Sequence, residues 1–187
     1  MSSPSFSRYA AAQLLITESA LTELSMEDAL VVVDHMVPKR VSAQTVLIRE
    51  GQRTQGNFML LVIEGEVTVE SHSTGEADNL VLNVLGPGSI VGEMALMDDA
   101  PRAASCTATS DLRAAILTRE ALEKIVQTHP AVGARLMLGI SKRLADRLRE
   151  TLRKLKTHVR VNQAMRQELD VMMGAPDASA KRRRSAA

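Results

Sequence analysis

The stretch from Gly92 to Ser105, G-E-M-A-L-M-D-D-A-P-R-A-A-S, constrains this chain more than any other. It follows Leu85–Val91, an apolar run broken by a Gly86-Pro87-Gly88 turn. Gly92 lets a backbone approach a ligand closely. Glu93 to Met97, with Met94 and Ala95 between them, suit one helical turn whose first N–H groups lack internal partners and point outward. Arg102 follows Pro101, whose fixed φ stiffens the approach, and its planar fork matches two oxygens of a phosphate. The small side chains of Ala103 and Ala104 leave room for a ligand against the backbone. Glu93 is the odd member, because a carboxylate repels a phosphate. Its natural role is to accept hydrogen bonds from hydroxyls, as on a ribose. A sugar acceptor next to a phosphate clamp implies a nucleotide.

The rest of the chain supplies a scaffold. Short apolar segments at 46–48, 58–63, 67–69, 80–85, 104–108 and 112–117 read as strands, with Gly turns between them and a polar hairpin loop over 71–79. That pattern argues for an antiparallel β jelly roll or barrel within an α+β fold. Residues 8–24 read as a helix, Ser25-Met-Glu-Asp28 as a capping box opening a second, and Thr118 as the cap of a third. His129-Pro130 breaks that third helix. With aromatics at only 2% of 187 residues, the core must be aliphatic and Met-rich.

The Gly92–Ser105 segment resembles the phosphate-binding cassette of the cyclic nucleotide-binding domain family. Its form is closest to that of protein kinase A regulatory subunits, which share their scaffold with bacterial catabolite activators. The spacing from Gly92-Glu93 to Pro101-Arg102-Ala103-Ala104 matches without a gap. The resemblance implies that Glu93 and the Gly92 N–H hold the ribose 2′-hydroxyl. It also implies that Arg102 pairs with the cyclic phosphate, assisted by the N–H groups of Ala95 and Ala103. Ala103 stands where a Thr favours cGMP in the family's eukaryotic kinases, which points to cAMP, with cGMP or cyclic di-GMP as alternatives and no metal. Leu82 and Asn83 align with base-facing strand positions, and Arg147 with the point where the family's helix meets the purine. The implied organisation is an N-terminal helical segment over 1–40 and a barrel over 41–130 with the cassette at 92–105. A long helix over 131–173 and a disordered basic tail over 174–187 complete it. The segment after Met173 is too short for the winged helix-turn-helix of the bacterial regulators, so a sensor module without its own output domain is expected.

Residues 131–173 carry a 4-3 repeat with Ser141, Leu148, Leu155, Asn162 and Leu169 at a, and Leu144, Thr151, His158, Met165 and Met172 at d. A rival stripe runs Leu148, Leu152, Leu155, Val159. The 4-3 repeat predicts a homodimer through this helix, signalling to a protein effector. The polar Thr151 and His158 and the rival stripe make the seam imperfect, and an amphipathic helix packing on its own domain is the alternative. Basic residues crowd 142–160 and Lys181–Arg184, the latter within the tail. They make contact with nucleic acid an alternative, though a solvated face explains them as well. No apolar run approaches 18 residues, no secretory signal is evident, and the single Cys106 suits a reducing compartment, so a cytoplasmic protein that does not enter membranes is expected. Catalysis is not expected. His35, His72, His129 and His158 show no ligand spacing, and Ser105-Cys106 has no evident base.

Overall fold

Strand alternation decides how this protein layers. The computed structural model describes residues 7–53, 57–72 and 79–172. The expectations for the N-terminal residues 1–6, most of the 71–79 loop and the basic tail fall outside them. In chain order the elements are α1 (Arg8–Leu15), α2 (Met26–Asp34), β1 (Val37–Val41), β2 (Val46–Ile48), β3 (Phe58–Glu64), β4 (Val67–His72), β5 (Asn79–Leu85), β6 (Ile90–Val91), a 3₁₀ turn at Glu93–Leu96, β7 (Ser105–Ala108), β8 (Leu112–Thr118), α3 (Arg119–Thr128) and α4 (Pro130–Met172). The strands form two antiparallel sheets, ordered β1-β8-β3-β6 and β2-β7-β4-β5.

Strand β3 reads as an unbroken apolar run because both of its faces are covered. Met59, Leu61 and Ile63, with Ala115 and Leu117 of β8, face a core built with the helices. Leu60 and Val62, with Leu112 and Ala114, face the second sheet at Val67, Val69, Cys106 and Ala108. The first sheet is thus the middle layer between helices and the second sheet. The chain passes from one sheet to the other at Gly65, which sits at φ +89°.

The helices depart from expectation in instructive ways. The first one stops at Leu15 rather than running to Leu24. Thr17 donates its hydroxyl to the carbonyls of Leu14 and, across 71 residues, Gly88. That tether turns the chain, and Leu21 and Leu24 reach the core from beyond the helix. The Ser25 capping box is present, with Asp28 N–H donating to Ser25 Oγ and Ser25 N–H to Asp28 Oδ2. Strand β1 begins at Val37, inside the stretch assigned to helices. Its residues are exposed or half-buried and lack the apolar alternation that marks a strand. Pro130 opens α4, as suits a residue without an N–H in a first turn.

Two compact units divide α4. The first ends at Leu144 and the second starts at Ala145. Val132, Leu136 and Ile140 belong to the helical core of the first unit. At its start α4 crosses α3 so closely that a Cβ on Gly133 would lie 2.9 Å from Val126 Cα. Within the second unit, Leu148, Leu152, Leu155, Val159, Met165 and Leu169 are all exposed. No helix among the described residues is long and apolar enough to cross a membrane.

One ion pair ties α2 to the buried part of α4. Asp28, which is buried, accepts from Arg135 Nε at 2.7 Å and from Nη2 at 2.5 Å. These hydrogen bonds hold the Asp28 carboxyl at about 2, against the upward push of burial, where its ordinary value is 3.8. A folded-state value below the unfolded one contributes stability at and above about pH 4 that is lost as pH falls toward 2. Asp28→Asn should therefore flatten the fall in urea midpoint between pH 4 and 2. An equally steep fall in the variant would show that other groups carry it.

Candidate functional site

The site grows from the strand that enters it. After β6, Gly92 turns the chain at φ +80° into the 3₁₀ turn, and its conformation is enforced from outside as well. A Cβ there would lie 3.0 Å from the Phe58 carbonyl oxygen, 3.1 Å from Arg102 Nη1 and 3.1 Å from Ile48 Cδ1. Glycine is required both for its dihedral and for the space. The turn places Glu93 inward, only 1% exposed, and Met94 outward, 49% exposed. Ala95 is buried, and its N–H donates to the Gly92 carbonyl at 3.2 Å. One of the two backbone donors expected to meet a phosphate is therefore engaged in closing the turn.

Arg102 returns to the start of the cassette. Its Nη1 donates to the carbonyls of Gly92 and Phe58, each at 3.3 Å. Its guanidinium lies over the Phe58 ring, 4.7 Å from the centroid. Its backbone is fixed as well, with its N–H donating to Gln52 O at 3.1 Å and its carbonyl accepting from Gly51 at 2.8 Å. The residue is 7% exposed, yet its second terminal nitrogen, Nη2, is buried without a hydrogen-bond partner. Burial lowers the guanidinium's pKa from its ordinary value, while Cys106 pulls it back upward. It remains a cation near neutral pH. A buried, cationic donor with a free N–H group is suited to an anion. Ala103 and Ala104 follow it, exposed and half-buried.

Cross-strand pairing connects this centre to the open edge of the second sheet. Ile48 pairs with Cys106, Cys106 with Val69, and Val69 with Asn83, so these four share one face. Three of them are buried, whereas Asn83, on the edge strand, is exposed. Its Oδ1 accepts from the Val84 N–H at 2.9 Å. The register shifts between Val69 and Glu70, which leaves Leu82 as the extra residue of a bulge, 44% exposed. Arg147 lies on α4 in the second unit, where its carbonyl accepts from Thr151 Oγ1. It is not among the residues that the first unit itself brings to the cassette.

Several supporting residues escaped the sequence reading. Arg119 donates to the carbonyls of Ala95 and Asp98 and pairs with Asp99 at 2.8 Å. Asn57 Nδ2 donates to Asp98 O and Asp99 Oδ1. Together they fasten the far end of the 3₁₀ turn to β3 and α3. Ser105 Oγ accepts from the Glu50 N–H at 3.0 Å, fixing the cassette's exit. Long-range hydrogen bonds of this kind leave no local pattern. Phe58 did leave a signal, as one of only two phenylalanines. Arg119→Ala should loosen the turn and lower Tm by a few degrees, the worth of about one ordinary hydrogen bond. A melting temperature equal to wild type would remove Arg119 from the positioning role. Among the described residues, no three His, Cys, Asp or Glu side chains converge in a metal-binding group.

Comparison with known proteins places this geometry. Residues 38–129 match the family model of the cyclic nucleotide-binding domain. A CRP-like cAMP-activated global transcriptional regulator of Mycobacterium tuberculosis is 30% identical over 89 residues, covering 48% of this chain and 39% of that protein. A cAMP-dependent protein kinase regulatory subunit of Blastocladiella emersonii is 36% identical over 98 residues, covering 52% of this chain and 24% of that protein. The chain thus spans well under half the length of these curated relatives. A solved cyclic nucleotide-binding domain from Methylobacillus flagellatus shares the fold, with a TM-score of 0.70 over 81% of this chain and 83% of that one at 24% identity.

Proposed function

We propose that this chain, whose residues 38–129 belong to the cyclic nucleotide-binding domain family, is a cAMP receptor that signals through α4. Arg102 carries this reading: a guanidinium buried beside Gly92 and Phe58 that keeps one nitrogen without a protein partner. In the proposed complex the cyclic phosphate accepts from that nitrogen and from the Ala103 N–H, and Glu93 accepts from the ribose 2′-hydroxyl. The Ala95 N–H joins only if the 3₁₀ turn rearranges, which makes the turn a natural element for ligand to bias. Asn83 and Leu82, on the exposed edge strand, are proposed to meet the base, with Arg147 of α4 completing its cover. The names of the two curated relatives, one cAMP-activated and one a subunit of a cAMP-dependent kinase, support cAMP over other cyclic nucleotides.

The output is proposed to be a homodimer through the second unit that engages a protein effector. Its apolar positions are exposed along the helix, and Asn162 at an a position would fix strand number. Leu148→Glu with Leu155→Glu should convert a dimer into a monomer by sedimentation equilibrium. A variant that sediments like wild type would remove this helix from the interface. For the ligand, a thermal-shift panel of cAMP, cGMP and cyclic di-GMP is decisive. At 100 times its dissociation constant a ligand stabilises by about 2.7 kcal/mol, which raises Tm by about 5–10 °C in a domain of this size. cAMP should give the largest shift, and no shift with any of the three would overturn the receptor reading.

A further inference from the structure

A second concavity, sharing Phe58 with the surroundings of the cassette, lies at the edge where β1 and β2 leave the two sheets. It is a cleft of about 340 Å³, within the lower range of small-molecule sites. Leu47, Phe58, Leu60 and Ile116 form its apolar floor. Lys39 and Arg40 stand at its rim with the hydroxyls of Ser42 and Thr45. Among the described residues neither cation has an acidic partner; by strand alternation Lys39, opposite Ala114, shares the face of the floor, while Arg40, opposite Arg113, stands on the other face of the β1 edge.

We propose that this cleft binds a small anionic amphiphile, a carboxylate carrying an apolar chain. The chain would lie on the aliphatic floor and Phe58, and the carboxylate would accept from Lys39 and the hydroxyls, with Arg40 adding positive charge at the edge. An added β-strand is the poorer occupant. Pro38 removes a donor from the edge of β1, Lys39 and Arg40 blunt it, and β2 is only three residues long. The chain's own Lys181-Arg182-Arg183-Arg184 segment is repelled by the same rim. Phe58 gives the cleft a link to the cassette, because its ring lies beneath the Arg102 guanidinium. Occupancy is therefore expected to change nucleotide affinity, and the change must be reciprocal.

The test is calorimetric titration of the full chain with decanoate below its micelle concentration. Decyltrimethylammonium serves as the cationic control and acetate as the tailless one. Saturable binding of one decanoate per chain is expected, with both controls at least about tenfold weaker. Lys39→Glu with Arg40→Glu should lower decanoate affinity at least about tenfold, and Lys39→Gln with Arg40→Gln, a milder change to the fold, should lower it too. Decanoate should still bind one per chain at saturating cAMP, with shifted affinity, which separates this cleft from the nucleotide site. Absence of saturable binding, equal affinity for the cationic control, indifference to both double variants, or complete displacement of decanoate by saturating cAMP would each overturn the proposal.

Discussion

Arg102→Ala is expected to lower cAMP affinity by at least about 100-fold. The free Nη2 carries two N–H groups, and two charge-assisted hydrogen bonds from them at about 1.5–3 kcal/mol each amount to two or more decades in the dissociation constant. The residue is only 7% exposed, so the bonds are made away from water. Removing it also deprives the Gly92 and Phe58 carbonyls of their donor and uncovers the Phe58 ring. Some loss of Tm should therefore accompany the loss of binding. Arg102→Lys separates the two effects, because it keeps a positive charge but loses the planar fork that reaches Gly92, Phe58 and the ligand together. An intermediate loss of about tenfold is expected for it. Calorimetry on both variants, with melting curves alongside, checks the pair. Wild-type affinity in Arg102→Ala would exclude this residue from the ligand.

The largest effect on stability is expected at Gly65, where the chain crosses between sheets. Its φ of +89° is costly for any residue with a Cβ. That atom would also lie 2.4 Å from the Asp111 carbonyl oxygen and 2.8 Å from Ser110 Oγ. The first obstacle is backbone, so it yields only if the β7–β8 turn moves. That turn is itself held, since Glu66 N–H donates to Ser110 Oγ and Ala43 N–H to Asp111 Oδ1. Strain and displacement together predict a destabilisation of about 3 kcal/mol for Gly65→Ala, or a Tm lower by about 6–12 °C. Gly86→Ala is the control, because a Cβ there meets nothing within 4 Å. A calorimetric Tm for Gly65→Ala within a degree of the control would contradict the crowding described here.

The parts of this molecule that were legible in sequence are those fixed by local chemistry. The Ser25–Asp28 box, the Thr118 cap, the Pro130 break and the β3 run each act within a few residues, and each is found where the pattern put it. The cassette was legible for a related reason, since Gly92, Glu93 and Arg102 lie within eleven consecutive residues whose types have few other uses together. What escaped depends on partners distant in the chain. Leu15 ends α1 because Thr17 finds Gly88, and β1 exists because it pairs with β8 along its whole length. Arg119 and Asn57 matter only once the fold has brought them to the cassette.

The central claim is that Glu93 and Arg102 serve one ligand with a ribose hydroxyl and a ring-closed phosphate. Calorimetric titration of the wild-type chain with cAMP, 2′-deoxy-cAMP and 5′-AMP tests it directly. The account predicts saturable binding of one cAMP per chain, with 2′-deoxy-cAMP about tenfold or more weaker through loss of the Glu93 contact and 5′-AMP weaker still. No heat with cAMP, or the same affinity for all three, would contradict it.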